Sequence, residues 1–444
     1  MKKIINKFHF KWMMRTHYTN QLKDLENGTY VTICGWIQEI RNIGNIAFII
    51  VRDREGIAQV TLLKNDHGDE EFQKIVSLSR ESTICVKGKI NKNTKSKLGV
   101  EIYPEKIDIL SIAEAPLPMG VVDKVSVDIE TRLNERFMDL RRPEVLSLFK
   151  VESSLGKSIR RTLEEDGFLE VHTPKIIATA TEGGTNLFKV KYFEKDAYLV
   201  QSPQLYKQIM MAAGFDRVYE IAPAFRAEEH NTTRHLNEFI SIDIEMSFAT
   251  HEDAMSLLEK VITNAIEFVI KNNKDDMNRL NLNWKIPERP FPRVTYSELL
   301  DYVNKNGVEM KFGEDFSSEA LELIGKKYKE FYFITRWPME TRAFYVMPCE
   351  DDPTFGKAFD LQYGEREITS GAQRNHNYNS LKENIEKKGL DPKSFEFYLE
   401  AFKYGMPPHA GWAIGLERLT MILTGVKNIR EVTLFPRDRK RVVP

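Results

Sequence analysis

The chain has 444 residues, too many for one compact hydrophobic core, so two or three domains are expected. Its apolar content of 42% and charged content of 29% are those of an ordinary globular protein, and no apolar run is long enough to cross a bilayer. The net charge of -1 excludes nothing about nucleic acid, and the two basic runs at 87–97 and 437–441, taken alone, indicate solvated surface.

Three cysteines bear on the cellular compartment. Cys34, Cys85 and Cys349 are far apart along the sequence and odd in number. They form neither a metal-ligand spacing nor a disulfide framework. We therefore expect reduced thiols and a cytoplasmic setting.

The chain opens with a basic segment. Residues 1–23 contain no acidic residue. Residues 1–14 are interpreted as a basic arm or an upstream start, with Met13 or Met14 as the other initiator. A targeting peptide is the less favoured alternative, because a secretory apolar core is absent and Ser and Arg are scarce.

Residues 29–111 predict a series of short strands. Apolar and polar residues alternate from Val31 to Gln38, which is the period of a strand with one buried face. Four more strands are predicted at 47–51, 57–63, 82–90 and 100–110, with a short helix at 69–78. Five short strands with one inserted helix are typical of a small Greek-key barrel, and we assign residues 15–111 to an oligonucleotide-binding (OB) fold.

A proline-containing connector follows the barrel, and residues 112–143 are interpreted as a linker or hinge. The larger unit, residues 144–444, opens with apolar residues at spacings of three and four from Leu148 to Leu163, which predicts a helix. Strands and helices then intermix without the regular alternation that a parallel sheet requires. We therefore expect an α+β fold.

The densest polar segment, residues 225–239, lies between two predicted strands. It carries Arg226, His230, Arg234 and His235. Arginine offers planar donors that suit phosphate oxygens, and flanking strands would hold such donors rigidly. The segment is therefore a candidate polyphosphate site, although a solvated hairpin tip fits its bare composition equally well.

Three segments in order resemble the class II aminoacyl-tRNA synthetases. Phe-Arg-Ala-Glu at 225–228, with Thr-Arg-His-Leu and Glu-Phe behind it, resembles motif 2, and residues 411–418 resemble motif 3. The helix and strand that end at Pro174 resemble motif 1, the dimer element. The resemblance extends from about Arg15 to Pro444. It implies an OB-fold barrel, a catalytic domain built on an antiparallel sheet flanked by helices, and a homodimer formed through motif 1.

The resemblance also implies roles for single residues. Arg226 would be catalytic, holding the amino-acid carboxylate against the α-phosphate of ATP, while Phe239 would stack on the adenine opposite Arg418. The residues expected to bind ATP are Arg226, Glu228, Arg234, His235, Leu236, Phe239, Glu367, Gly415, Leu416, Glu417 and Arg418. For Phe239 the alternative is an ordinary core aromatic, and for residues 415–418 it is a helix N-terminus.

A pair of carboxylates stands on either side of Gly364. A hairpin there could bring Asp360 and Glu367 together as hard oxygen ligands for Mg²⁺, although carboxylates at such spacing are usually surface charges. The resemblance of Phe-Asp-Leu and Glu-Ile-Thr-Ser-Gly in this region to the same enzymes implies a magnesium site made by Asp360, Glu367 and Ser370.

Residues 201–208 and 370–374 resemble the amino-acid pocket of the aspartyl enzymes in this class. Lys207 and Arg374 would form a doubly cationic pocket for a side-chain carboxylate. Such a pocket would reject asparagine, because a neutral amide leaves a buried charge unpaired at a cost of roughly 3–5 kcal/mol. Residues 181–184 resemble a mobile loop that closes on the substrate. The residues expected around aspartate are Glu182, Gln204, Lys207, Arg226, Asp243, Ser370 and Arg374, with Glu182, or as second candidate Asp243, beside the α-ammonium group.

The predicted barrel resembles the anticodon-binding domain of the aspartyl, asparaginyl and lysyl enzymes. Such barrels stack unpaired bases on aromatic faces and follow phosphates with lysines. The expected contacts are Trp36, Gln38, Phe48, Gln59 and Lys95, for which a place in the barrel core or on its plain surface is the alternative.

These resemblances together imply an enzyme that activates L-aspartate with ATP and transfers it to the 3′ end of tRNA(Asp), with tRNA(Asn) as a second acceptor left open. Residues 395–402 and 406–409 fit the archaeal and eukaryotic type. One alternative is an asparaginyl or lysyl synthetase with the same chemistry, and another is a non-catalytic RNA-binding protein with the same fold. The intact set Arg226, Glu367 and Arg418 argues against the second alternative.

Overall fold

The computed structural model of the chain describes residues 14–92, 95–123, 125–178, 187–230 and 232–444. The chain forms two compact units, which divide between Asp139 and Leu140. Apart from Met14, the predicted basic arm lies outside the described residues. Within the described ranges, no helix is long and apolar enough to cross a membrane.

The first unit contains a closed five-stranded barrel. Its strands are β1 (Tyr30–Ile43), β2 (Ile46–Arg52), β3 (Ile57–Leu63), β4 (Thr83–Asn91) and β5 (Glu101–Ser111), with helix α1 (Lys64–Val76) between β3 and β4. They close in the order β1-β2-β3-β5-β4, and each pair is antiparallel except β3 with β5. The predicted OB fold, with five strands and an inserted helix, is therefore confirmed.

Alternation along β1 separates the barrel core from its surface, because Val31, Ile33 and Ile37 point inward and are buried. At Gly35 the strand passes so close to the carbonyl oxygen of Arg52 that a Cβ could not be accommodated. Only glycine fits this approach of β1 to β2.

Two of the cysteines lie opposite each other in the barrel. Cys34 on β1 pairs in register with Cys85 on β4, and the two form a disulfide, whereas Cys349 is free and buried. The expectation of reduced thiols with no disulfide is therefore wrong for this pair. Barrel closure brings together two residues that are 51 apart in sequence, a proximity that cysteine spacing alone could not predict.

The end of the first unit has local structure of its own. The segment predicted as a linker contains two short helices, α2 (Ile129–Asn134) and α3 (Arg136–Asp139). Met119, Val121 and Met138 form a small apolar cluster beside them.

The second unit is built on an eight-stranded sheet. Its elements in chain order are α4 (Pro143–Glu165), β6 (Leu169–Glu170), β7 (Ile176–Ile177), β8 (Lys189–Tyr192), β9 (Lys195–Leu199), α5 (Gln204–Ala212), β10 (Arg217–Phe225), β11 (Glu238–Ser247), α6 (His251–Asn272), α7 (Lys274–Arg279), β12 (Arg293–Thr295), α8 (Tyr296–Lys305), α9 (Ser318–Lys327), β13 (Phe331–Pro338), β14 (Phe355–Tyr363), β15 (Arg366–Gln373), α10 (Tyr378–Lys387), α11 (Glu396–Lys403), β16 (His409–Gly415) and α12 (Leu416–Thr424). The sheet order is β12-β13-β14-β15-β16-β11-β10-β6, and β7, β9 and β8 form a small separate sheet. Only the two edge pairs of the large sheet are parallel, so the expected antiparallel sheet flanked by helices is confirmed.

The two faces of the large sheet have different partners. Ile242, Ile244, Trp412 and Ile414 point to one face and pack against α4 and α6. Trp412 is fully buried there, and its indole N–H donates to the Ala254 carbonyl at 3.1 Å. The alternate residues of the same strands point to the opposite face, where α8 to α11 cover a second apolar cluster. This opposite face holds the polar cavity.

Candidate active site

A cavity of about 500 Å³ opens on the polar face of the sheet. Strand register sets its floor: Asp243 on β11 pairs with Ala413 on β16, Ala413 with Ser370 on β15, and Ser370 with Asp360 on β14. Four neighbouring strands therefore present side chains at one level, and three of these residues are ones that the sequence analysis selected.

Three residues that line the cavity have a buried polar atom that makes no hydrogen bond to any described residue. These atoms are Gln204 Nε2, Gln362 Oε1 and Arg342 Nε. Burying a polar group without a partner costs roughly 1–3 kcal/mol. Three such atoms around one cavity indicate a site that is completed by a polar ligand.

The loop between β10 and β11 is fixed at its base. The Arg226 N–H donates to the Asn237 carbonyl at 2.9 Å, and the Asn237 side-chain amide donates back to the Arg226 carbonyl at 2.7 Å. The Arg226 guanidinium lies over the Phe239 ring, 5.4 Å from its centroid. Arg226 and Phe239 are both half-buried at the cavity wall, next to Glu228.

The other predicted phosphate ligands gather at one end of the cavity. Arg418 lies 3.6 Å from Glu367, and the His235 ring meets the Thr232 hydroxyl at 2.8 Å. Burial and the nearby Arg418 lower the pKa of His235, so the ring is neutral at pH 7. Arg234 is exposed and Leu236 is buried, and both line the cavity.

The predicted metal ligands are close together. The Ser370 hydroxyl donates to Asp360, and Arg342 lies 3.3 Å from the same carboxylate. Burial raises the pKa of Asp360 to about 6, with Arg342 opposing and Glu367 adding to the effect. No group of three or more His, Cys, Asp or Glu residues that could hold a metal occurs in the described part of the chain.

Two carboxylates and a hydroxyl nevertheless fit Mg²⁺, which prefers hard oxygens and keeps water or phosphate oxygens as its remaining ligands. Burial and the charge of Glu367 disfavour ionised Asp360, and a bound cation would offset both effects.

The two cations predicted for the amino-acid pocket are held by carboxylates. Lys207 Nζ lies 3.0 Å from Asp243 and 3.6 Å from Glu245, while Arg374 Nε donates to Glu245 at 2.9 Å. Although burial opposes ionisation of Glu245, Arg374 and Lys207 outweigh it and lower the pKa of that carboxyl.

The two cations expected to form a doubly cationic pocket therefore belong to a buried network of two cations and two anions. A buried cation without a counter-ion is too costly to fold, which explains the carboxylates. Asp243, the second candidate after Glu182 for the ammonium group, pairs with Lys207. Arg374 lines the cavity, whereas Lys207 lies behind Asp243 and lines a separate narrow space.

Glu417 has a structural partner that the sequence analysis did not predict. Its carboxylate accepts from the backbone N–H of Ile240 at 3.0 Å, so it ties the start of α12 to β11. Gly415 lines the cavity and Leu416 packs against the core behind the sheet. Glu182 lies outside the described residues.

Sequence reasoning missed Glu245, Arg342 and Gln362. Glu245 and Gln362 each stand two residues from a selected acid, Asp243 and Asp360, on the same face of a strand, so the period of two could have found them. Arg342 follows β13 in an irregular segment and carries no pattern, and only the fold places it beside Asp360.

On the barrel, the predicted anticodon residues are spread over β1, β2, β3 and the segment between β4 and β5. Gln38 stands in a bulge of β1, and Phe48 and Gln59 are on the neighbouring strands β2 and β3. Gln59 donates to Glu101 at 3.1 Å and accepts from Ser96 at 3.3 Å. Trp36, opposite Arg52, is half-buried, and Lys95 is exposed.

The chain is similar to known proteins over its whole length. Residues 128–439 match the family described as tRNA synthetases class II (D, K and N), and residues 31–110 match the OB-fold nucleic acid binding domain. The chain is 55% identical over 432 residues to the aspartate–tRNA(Asp) ligase of Thermoplasma acidophilum, which is 97% of this chain and 100% of that protein. It is 53% identical over 441 residues to the aspartate–tRNA(Asp/Asn) ligase of Methanocaldococcus jannaschii, 99% of this chain and 100% of that one. The crystal structure of asparaginyl-tRNA synthetase from Pyrococcus horikoshii, complexed with asparaginyl-adenylate, has a TM-score of 0.91 at 31% identity and covers 97% of this chain and 100% of that one.

Proposed function

The chain belongs to the class II tRNA synthetases of the D, K and N group, and from this membership we propose that it is an aspartate–tRNA ligase. It joins L-aspartate to ATP, giving aspartyl-adenylate and pyrophosphate, and then transfers the aspartyl group to the 3′ end of tRNA(Asp). Identity of 55% to a full-length aspartate ligase, against 31% to an asparaginyl enzyme, supports aspartate as the amino acid.

The observation that carries the proposal is the charge network beside the cavity. Arg374 reaches the cavity wall while Glu245 and Asp243 fix the positions of both cations. A substrate carboxylate next to Arg374 gains a cationic partner that is already in place, while Lys207 lies behind Asp243 and holds the Asp243 carboxylate. Asparagine offers Arg374 a neutral amide and loses the charge-assisted hydrogen bonds that a carboxylate accepts from the guanidinium.

At the other end of the cavity, the proposed reaction needs positioned charges and no protein nucleophile. Arg226 would hold the aspartate carboxylate against the α-phosphate, and Phe239 and Arg418 would enclose the adenine with Glu228 at its edge. Arg234 and His235 would reach the outer phosphates. Rigid donors aimed at developing charge are worth more in a cavity than in water, because they need no reorganisation.

Asp360, Glu367 and Ser370 would hold Mg²⁺, which when bound would supply positive charge that offsets that of the phosphate oxygens. Gln204, whose amide nitrogen makes no hydrogen bond to a described residue, would donate to the amino acid. Glu182 would meet the α-ammonium group. In the barrel, Trp36 and Phe48 would stack on anticodon bases, while Gln38, Gln59 and Lys95 contact them or their phosphates.

Pyrophosphate exchange tests this function directly. The purified chain is assayed for ATP–pyrophosphate exchange with aspartate, asparagine and lysine in parallel, as wild type and as Arg226→Ala. The variant should lose about 100-fold or more in exchange rate, since one electrostatic donor is worth that much. Arg217→Ala, a change at the exposed start of the same strand, is the matched control and should keep wild-type exchange.

Each alternative has its own outcome in this assay. Near-normal exchange by Arg226→Ala would remove the mechanism. Preferential exchange with asparagine or lysine would identify a sister enzyme, and binding of tRNA without any exchange would identify an RNA-binding protein. Charging assays with purified tRNA(Asp) and tRNA(Asn) then decide the acceptor, since relatives with both kinds of name are about equally similar.

A further inference from the structure

A chain of three buried polar side chains lies behind the amino-acid end of the cavity. Gln208 follows Lys207 on α5, Tyr398 is on α11 and His409 begins β16, and all three are fully buried. None of them lines the cavity, so none is placed to touch a substrate. Tyr398 and His409 belong to the two segments, 395–402 and 406–409, that the function has not yet used.

The donors and acceptors among these three side chains can be assigned in only one way. His409 Nδ1 lies 2.8 Å from the Pro407 carbonyl oxygen, which only accepts, so Nδ1 carries the proton. Burial lowers the pKa of His409 to about 4, so the ring is neutral and Nε2 is an acceptor at pH 7. Gln208 Nε2 donates to it at 3.0 Å.

The hydrogen bond of the Gln208 amide oxygen also has a definite direction. Its oxygen accepts from the Tyr398 hydroxyl at 3.0 Å, and burial raises the pKa of Tyr398 so that the hydroxyl keeps its proton. Turning the amide over would set its oxygen against His409 Nε2, so that two acceptors would face each other, and would leave the Tyr398 hydroxyl opposite an NH₂ group. The side chain of Gln208 therefore has one orientation.

These three hydrogen-bonded side chains join the parts of the fold that carry the two pocket cations. The His409 carbonyl accepts from the Arg374 N–H at 2.8 Å, which fixes the backbone of Arg374 to the same strand. Lys207 precedes Gln208 on α5, and its Nζ reaches Asp243 at 3.0 Å and Glu245 at 3.6 Å. A rotation or shift of α5 would alter both of these distances, and Gln208 is hydrogen-bonded to both β16 and α11 through His409 and Tyr398.

We propose that Gln208, held by Tyr398 and His409, is a positioning residue for amino-acid recognition: it fixes α5 so that Lys207 stays on Asp243 and Glu245 beside Arg374. The proposal rests on the proposed function, because it assigns the network to binding of the aspartate side chain. Loss of the Gln208 amide leaves the hydroxyl of Tyr398 and the ring of His409 buried without their partner and frees the helix. This loss should weaken the binding of the amino acid and not that of ATP, whose expected ligands lie at the other end of the cavity.

The test is steady-state ATP–pyrophosphate exchange with the full-length chain. Gln208→Met keeps the volume and removes both hydrogen bonds, and Tyr398→Phe removes one. We expect Gln208→Met to raise KM for aspartate about tenfold or more and to lower the preference for aspartate over asparagine, with KM for ATP within about twofold of wild type. Tyr398→Phe should give a smaller change of the same kind. Met210→Leu, a volume-conserving change at a half-buried position on the same helix, is the matched control and should leave both KM values unchanged.

Several results would overturn the proposal. An unchanged KM for aspartate in Gln208→Met, or equal increases in KM for aspartate and ATP, would show that the hydrogen bonds of Gln208 only stabilise the fold. If Gln208→Met does not fold, as judged by thermal unfolding, Tyr398→Phe alone decides on the same criteria. A wild-type chain that activates another amino acid contradicts the proposed function instead, and KM for that amino acid then tests the positioning role.

Discussion

Two buried carboxyl groups, Glu152 on α4 and Glu417 on α12, make the stability of the second unit depend on pH. Burial and then the charge of Glu417 raise the pKa of Glu152 to about 8, and burial raises the pKa of Glu417 to about 7. Both values lie above the ordinary glutamate value of 4.5. The folded chain therefore keeps protons that the unfolded chain has released, and its stability falls as pH rises from about 4.5 to about 8.

Replacing Glu152 with Gln should reverse this loss for one of the two groups. One oxygen of Glu152 makes no hydrogen bond to any described residue, so a neutral amide of the same shape loses little. At pH 8 we expect Glu152→Gln to have a higher melting temperature than wild type and a free energy of unfolding that is larger by at least about 1 kcal/mol. This difference should shrink at pH 5. Glu165→Gln, at an exposed position of the same helix, should show no such dependence on pH. A variant as stable as wild type at pH 8 would contradict the raised pKa.

Glu245 can keep its position in the charge network only because residue 411 is a glycine. A Cβ at this position would collide with the Glu245 carboxylate and the Ile244 carbonyl oxygen. We expect Gly411→Ala to displace Glu245 and to raise KM for aspartate in the exchange assay by about tenfold or more, since Arg374 then loses its partner. The matched control is Gly156→Ala in the middle of α4, where a Cβ meets no atom within 4 Å. That change should stabilise the helix by up to about 1 kcal/mol and leave KM unaltered. Normal aspartate binding by Gly411→Ala would show that Glu245 need not stay where it is.

At the scale of elements, the loop between β10 and β11 is held by the end of the chain. Arg430 donates to the Thr232 carbonyl at 2.8 Å and to Asp438 at 2.7 Å, and Arg439 donates to the Glu229 carbonyl at 2.9 Å. The basic run at 437–441, which alone indicates a solvated surface, thus has contacts within the fold. These contacts tie described residues of the loop that carries the predicted phosphate ligands to the C-terminal segment.

Cutting this connection should weaken ATP binding selectively. We expect Arg430→Ala to raise KM for ATP severalfold, because the loop becomes more mobile, while KM for aspartate changes by less than about twofold. Lys440→Ala removes a neighbouring charge whose side chain is exposed, and it should behave as wild type. Equal losses for both variants would mean that net charge, and not the fixed loop, is what ATP binding requires.

The elements also mark what the sequence alone can predict. Hairpins are local, so the loop at 225–239 and the turn at Gly364 could be placed from alternation and turn residues. Contacts between distant strands are not local: Glu245 and Arg374 are 129 residues apart and meet only because β16 lies between β11 and β15. The same holds for Cys34 and Cys85 across the barrel. The sequence therefore predicted the cations of the site and missed one of their two counter-ions.

The whole molecule is expected to be a homodimer, and the surface near Pro174 supplies the physical reason. Leu169 and Ile176, on either side of this proline, are 52% and 50% exposed. Apolar side chains left in water at the end of a short edge strand favour contact with a second copy of the chain. We expect the chain to sediment at twice its mass of 51.6 kDa at micromolar concentration.

A charge placed in this surface should separate the subunits. Ile176→Asp would bury a carboxylate without a partner in the dimer, and we expect this variant to sediment as a 51.6 kDa monomer with its fold intact by circular dichroism. Tyr404→Asp introduces the same charge at an exposed aromatic residue after α11 and should remain dimeric. If both variants stay dimeric, the subunits meet through another face. If wild type is itself a monomer with full exchange activity, the cavity of one chain is sufficient for adenylate formation.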